Sequence, residues 1–160
     1  MELVGVRVEI PANTPVVVLR EQTGAQRLLP ILIGTPEAAA IHSALEGVLP
    51  PRPLTHDLVV NLLAALNASL VSVVITEIRE HTYFAELRLE SPHGPLVVSC
   101  RPSDAIALAV RTGAPIVATE ALLDIAGLEA PDEPDANEEE AILDEFRDFL
   151  DEISPEDFDS

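Results

Sequence analysis

Lysine and tryptophan are missing from this chain of 160 residues, and cysteine, methionine and tyrosine occur once each. The lone Cys100 excludes an intrachain disulfide and fits a reducing compartment. Aromatics make up 3% of a chain that is 48% apolar, so aliphatic side chains and alanine must fill the core. Long hydrophobic runs are lacking too. The most apolar region, Val59 to Ile75, is broken by Asn61, Asn67, Ser69 and Ser72, short of a bilayer span. Glu2, Arg7 and Glu9 stand where a secretory leader would be uninterruptedly apolar. These absences predict a soluble, cytoplasmic chain with no membrane partner, the size of one domain with an appendage.

Net charge is −19 and unevenly placed. Residues 129–160 hold 15 acids and one arginine, giving −14; residues 1–128 hold 13 acids and eight arginines, giving −5. All nine bases are arginine, a bidentate partner for phosphate and carboxylate. Tight sequence-independent binding of nucleic acid normally uses a basic surface, and the overall charge argues against one.

Leu3–Ile10 alternates with a period of two and reads as a strand. Pro15–Glu21 and Arg27–Ile33 follow as two strands joined by a turn at Gly24. Thr35-Pro36-Glu37 then reads as an N-cap, a proline at the first helical position and a first-turn acid, opening a helix that Gly47 ends. After the stiff connector Leu49–Pro53, Thr55 is expected to cap a second helix, with Leu58, Leu62 and Leu66 on one face. Ser69–Glu80 and Thr82–Ser91 predict a long hairpin whose tip at His81 lacks a strong turn signal. Leu96–Cys100 is a third strand, Pro102 opens a helix ending near Gly113, Pro115–Ala118 is a short strand and Glu120–Ala126 a short helix. Two halves thus share one order, three strands and a proline-led helix, which suggests an internal duplication. The expected architecture is α+β over residues 1–128: two βββα-like halves in a mixed or antiparallel sheet, or a barrel-like core, with helices packed on it. Residues 129–160 read as an acidic linker and an amphipathic helix, with Ile142, Leu143, Phe146, Phe149, Leu150 and Ile153 at helical spacing.

Polar chemistry concentrates where helices start. Arg101, Ser103 and Asp104 flank Pro102 directly after an apolar strand, at the positively polarised end of a helix. Asp104 would serve equally as a capping acid with Arg101 as its ion-pair partner. His56 in a first helical turn is expected to be neutral and available as a general base or ligand, with Asp57 partly offsetting the dipole; a plain surface role is the alternative. Glu37 either complements its own helix or adds a carboxylate to a shared cleft. No Walker loop, dinucleotide fingerprint or nucleophile elbow occurs.

The runs LPILIGTPEAAAI (29–41), RPLTHDL (52–58), TYFAEL (82–87) and above all RPSDAIALAVRTGAPI (101–116) resemble the bifunctional nuclease (BFN) family. The ending FRDFLDEISPEDF (146–158) is similar to bacterial members. Where other members often carry an acid and a small residue before the Arg-Pro-Ser-Asp corner, this chain has Ser99 and Cys100. The resemblance implies an α+β homodimer with nuclease activity on RNA and DNA, and family-like polar residues at Glu37, His56, Asp57, Arg101, Ser103 and Asp104. In that reading His56 activates water, Arg101 stabilises phosphate charge, and Glu37, Asp57 or Asp104 hold a divalent metal ion. The competing expectation is a non-catalytic homodimeric regulator or adaptor that recruits a protein partner through its acidic C-terminal helix.

Overall fold

The computed structural model describes residues 1–9, 14–48 and 50–129, which belong to one compact unit, Met1–Glu129. The amphipathic helix expected around residues 142–153 lies outside the described residues. Three strands, β1 (Glu2–Glu9), β2 (Thr14–Arg20) and β3 (Leu28–Leu32), form an antiparallel meander, followed by α1 (Thr35–Leu45) and α2 (Thr55–Ala65). A second meander, β4 (Ser69–Arg79), β5 (Thr82–Ser91) and β6 (Gly94–Cys100), leads into α3 (Pro102–Thr112). Then β7 (Ile116–Ala118) pairs parallel to β4 and α4 (Glu120–Ala126) follows.

Each half is therefore a meander followed by a helix, as the repeated order in the sequence predicts. The barrel-like alternative does not form. The strands make two open sheets, ordered β1-β2-β3 and β6-β5-β4-β7, with no ladder joining them among the described residues. What joins them is core and a few directed bonds: Tyr83 donates its hydroxyl to the Pro30 carbonyl at 3.2 Å, and the Met1 amine donates to the Ile116 carbonyl at 2.8 Å.

Alternation in the strands explains the core. Val17 and Leu19 of β2, Leu29 and Ile31 of β3, and Val73 and Ile75 of β4 turn one way into a single cluster. On β4 and β5 packs α3, whose Ala105, Ile106, Ala107, Leu108 and Ala109 are all buried. A helix enclosed on several sides needs small residues where it meets other backbones. α1 and α2 both pack against it, and Gly113 at φ 73° ends it in the left-handed region.

Two cap positions differ from expectation. The cap of α1 is Gly34 rather than Thr35, and that of α2 is Leu54 rather than Thr55. Both threonines are already helical, and at α2 the cap bond comes from Asp57, which accepts from the Leu54 amide. α2 also presents a different face from the one its leucines suggest. Leu58, Leu62 and Leu66 are 51%, 52% and 68% exposed, while Val59, Val60 and Leu63 pack inward.

The β4–β5 hairpin closes on Glu80 and His81, both at positive φ (47° and 63°) between the paired Arg79 and Thr82. Two successive left-handed residues match the twist of a tight hairpin, but glycine or asparagine usually fills them. That is why the tip is poorly marked in the sequence. His81→Gly should raise the thermal unfolding midpoint, relieving on the order of 1 kcal/mol of left-handed strain; a lowered midpoint measured by circular dichroism would contradict it.

Candidate active site at three helix starts

α1, α2 and α3 begin in the same way. Each has an extended cap residue (Gly34, Leu54, Arg101) and a carboxylate at the third helical position (Glu37, Asp57, Asp104). An acid there faces unpaired amide groups and the positive end of the helix dipole. The three acids then diverge.

Glu37 folds back over Gly34, where an added Cβ would meet its carboxylate and displace it. Its Oε1 accepts from Nη1 of Arg101 at 2.9 Å, linking the first half of the chain to the second. Arg101 also grips Asp104 as a fork, Nε to Oδ2 at 2.8 Å and Nη2 to Oδ1 at 3.0 Å, while 65% of its side chain stays exposed. From the start of α2, Nε2 of His56 comes within 3.3 Å of Asp104 Oδ1. Glu37, His56, Arg101 and Asp104 thus form one chain of contacts drawn from three helices.

Burial pushes the Asp104 carboxyl upward, but hydrogen bonds from Arg101 and His56 and the Arg101 charge outweigh it and leave the pKa below its usual value. Asp104 is therefore ionised and can only accept. In a neutral imidazole the nitrogen facing it carries the proton, which leaves the Nδ1 lone pair free; this tautomer follows from the hydrogen-bond pattern. Next to it, burial and then the Asp104 charge push the Cys100 thiol up to about 11, too high for a nucleophile near neutral pH.

Asp57 is not part of this chain. Its Oδ2 accepts from the Leu54 amide at 2.9 Å and its Oδ1 from Nε of Arg111 at 2.6 Å. Arg111 in turn donates to the carbonyls of Ala40 in α1 and Ala107 in α3. This pair ties the helices together behind the polar cluster. Ser103 is nearly enclosed at 6% exposure and lines a hollow next to Arg101.

The Arg101–Glu37 pair stands between two hollows. One, of about 580 Å³, lies between the starts of α1 and α2 and reaches His56 and Asp104. The other, of about 500 Å³, holds Ser103 and extends to His81, Thr82 and Tyr83 on the β4–β5 hairpin. A divalent cation does not fit the donor set: Glu37 and Asp104 both bond to Arg101, Asp57 faces Arg111, and among the described residues no three His, Cys, Asp or Glu side chains group as ligands.

Two contributions escape sequence reading. Arg111 lies seven residues, two helical turns, after Asp104, a spacing that puts both on one side of α3 but names no partner. His81 and Tyr83 flank the weakly marked turn, and only the meeting of the two sheets brings them beside Arg101.

The family model of the bifunctional nuclease domain matches residues 17–131, a range that contains all six candidate residues. An uncharacterized protein of Mycobacterium tuberculosis is 48% identical over 162 aligned residues, which cover 99% of this chain and 96% of that protein. Bifunctional nuclease 2 of Oryza sativa subsp. japonica is 31% identical over 108 residues, 66% of this chain and 33% of the rice protein. Bifunctional nuclease 1 of Oryza sativa subsp. indica is 27% identical over 103 residues, 62% and 31% respectively. The matched part is about a third of each rice protein.

The Arg111 hydrogen bond, then that of Leu54, holds the Asp57 carboxyl below its ordinary 3.8. A lowered pKa stabilises the fold fully above the unfolded value, about 4, and the contribution disappears as pH falls through the folded value. Asp57→Asn should therefore unfold at lower urea concentration than the parent at pH 7, with the gap closing as pH drops below about 4. A gap independent of pH would mean that the charge is not its source.

Proposed function

The chain belongs to the bifunctional nuclease domain family, and on that premise we propose that it hydrolyses phosphodiester bonds of RNA and DNA in the hollow bounded by His56, Asp104, Arg101 and Glu37. The observation that carries this reading is the 3.3 Å contact between His56 and an ionised Asp104 whose other partner is the exposed fork of Arg101. It puts an oriented imidazole and a guanidinium on one carboxylate. Nδ1 of His56 takes a proton from water as the water oxygen bonds to phosphorus. Arg101 donates to the non-bridging oxygens while their charge builds. The bond to the leaving nucleotide oxygen breaks, and that oxygen takes a proton from solvent. Asp104 keeps the ring in the tautomer that has its lone pair free.

The charge of the hollow limits how the substrate is held. Two carboxylates against one guanidinium leave it net negative when His56 is neutral, so a phosphate has to compete with Glu37 for Arg101.

We also propose that the chain works as a homodimer. Leu54, Leu58, Leu62 and Leu66 recur every four residues on α2 and are 49%, 51%, 52% and 68% exposed. At the edge of its sheet β6 exposes Leu96, Val97 and Val98 at 49%, 62% and 44%. An apolar edge strand is a surface that chains normally cover. A second copy is the occupant favoured, because an edge strand pairs antiparallel with itself about a two-fold axis.

Highly purified protein should release nucleotides from single-stranded RNA and DNA, with His56→Ala lowering kcat on the order of 100-fold or more and His56→Ala/Asp104→Ala no more active than buffer. Equal activity in parent and double variant would assign the cleavage to a contaminant. In sedimentation velocity the parent should run at twice the chain mass and Leu62→Glu/Val97→Glu at the single mass; a monomeric parent would refute the dimer.

A further inference from the structure

A chain with two carboxylates on its site arginine and a net charge of −19 cannot draw its affinity for nucleic acid from phosphate neutralisation alone. Whatever holds such a substrate must act on something other than phosphate. Bases are what remains, and their faces are recognised by flat side chains in a sequence-tolerant way.

Flat side chains are scarce in this protein and gathered at one place. Tyr83 and Phe84 are the only aromatic residues among the described residues, since the other phenylalanines are Phe146, Phe149 and Phe158. Neither ring is fully buried: Tyr83 is half-buried against the core, Phe84 is not among the residues packed on it, and the interior itself is aliphatic residues and alanine. Both sit beside the tight turn that projects His81, on opposite faces of β5 as neighbours in a strand. The guanidinium of Arg79 lies over the Phe84 ring, 4.1 Å from its centroid, and pairs with Glu77 at 3.1 Å, while its side chain stays 62% exposed with a flat face outward.

Thr82 lines both the hollow of about 500 Å³ that contains Arg101 and a neighbouring one, of about 530 Å³, bounded by Arg79 and Phe84. Tyr83 and His81 line the first of these, and with exposed Leu32 they continue into a third hollow of about 310 Å³. A polynucleotide with a phosphate at Arg101 would therefore have its neighbouring bases at the hairpin.

We propose that the tip of the β4–β5 hairpin is a base-stacking platform for single-stranded nucleic acid, with one base against His81 and Tyr83 and another on the Arg79–Phe84 pair. Duplex bases are already stacked on each other and cannot use it, so single strands are selected. The platform rests on the nuclease reading for its placement of phosphate at Arg101, and it deepens that reading by naming the substrate form.

The test uses full-length protein carrying His56→Ala, so that binding is read without cleavage. Fluorescence anisotropy would compare a labelled single-stranded oligothymidylate, an abasic strand of the same length and charge, and a duplex. The oligothymidylate should bind at least about fivefold more tightly than the abasic strand and the duplex. His81→Gly and Arg79→Ala should each reduce that preference while leaving abasic binding within about twofold; His81→Gly relieves backbone strain, so misfolding does not stand in for loss of stacking. Equal affinity for the strands with and without bases, or a preference that both variants leave intact, would overturn the platform. Selective binding of bases by a parent protein that cleaves nothing would refute the nuclease reading alone. Cleavage by a protein that does not distinguish bases from abasic sites would refute the platform alone.

Discussion

The guanidinium of Arg111 ties the start of α2 to the middles of α1 and α3, and the place of His56 in the polar cluster depends on that tie. From α3 it reaches the carbonyl of Ala40 in α1, the carbonyl of Ala107 within its own helix, and the carboxylate of Asp57 in α2. Its side chain is only 10% exposed, so the Asp57 bond forms where solvent competes little. α2 has few other anchors: it buries no residue completely and touches the core through Val59, Val60 and Leu63. With Asp57 held, its neighbour His56 is carried to Asp104. The site histidine is thus positioned through an ion pair that takes no part in the chemistry.

Arginine without lysine is a physical choice as well as a compositional one. Arg27 binds Glu21, Glu120 and Asp124; Arg101 binds Glu37 and Asp104; Arg111 binds Asp57 and two carbonyls. Each ties together segments far apart in the chain, which a flat fork with several donors does better than a compact ammonium. The same economy restricts function. A guanidinium occupied with internal carboxylates has little charge left to offer a phosphate.

Punctuation made most elements legible. Gly24, Gly47, Gly113 and Gly127, with Pro36, Pro92 and Pro102, bracket strands and helices, and period-two alternation names the buried face of β2 and β3. Misreadings arose where the signal was local but the outcome was not. Thr35 and Thr55 look like caps, yet Gly34 and Leu54 hold those places, and at α2 the Asp57–Leu54 bond satisfies the helix start instead. The leucines of α2 look like a core stripe, but α3 offers its packing surface to the valines one position on. The turn at Glu80 and His81 carries no glycine, so sequence pattern marks it only by the alternation on either side.

The sequence by itself determined the order of elements, the acid in the first turn of α1, α2 and α3, and the residue types available for chemistry, since all three are set by neighbours along the chain. It also carried the family resemblance, in the block from Arg101 to Ile116. Only the tertiary structure decided that the strands make two sheets instead of a closed barrel, that Glu37 meets Arg101 and His56 meets Asp104 while Asp57 turns away to Arg111, and that the hairpin tip borders the same hollow. The polar contacts among them join residues 48 to 64 positions apart. No local periodicity encodes such distances; they follow from how two meanders and a buried helix share one core.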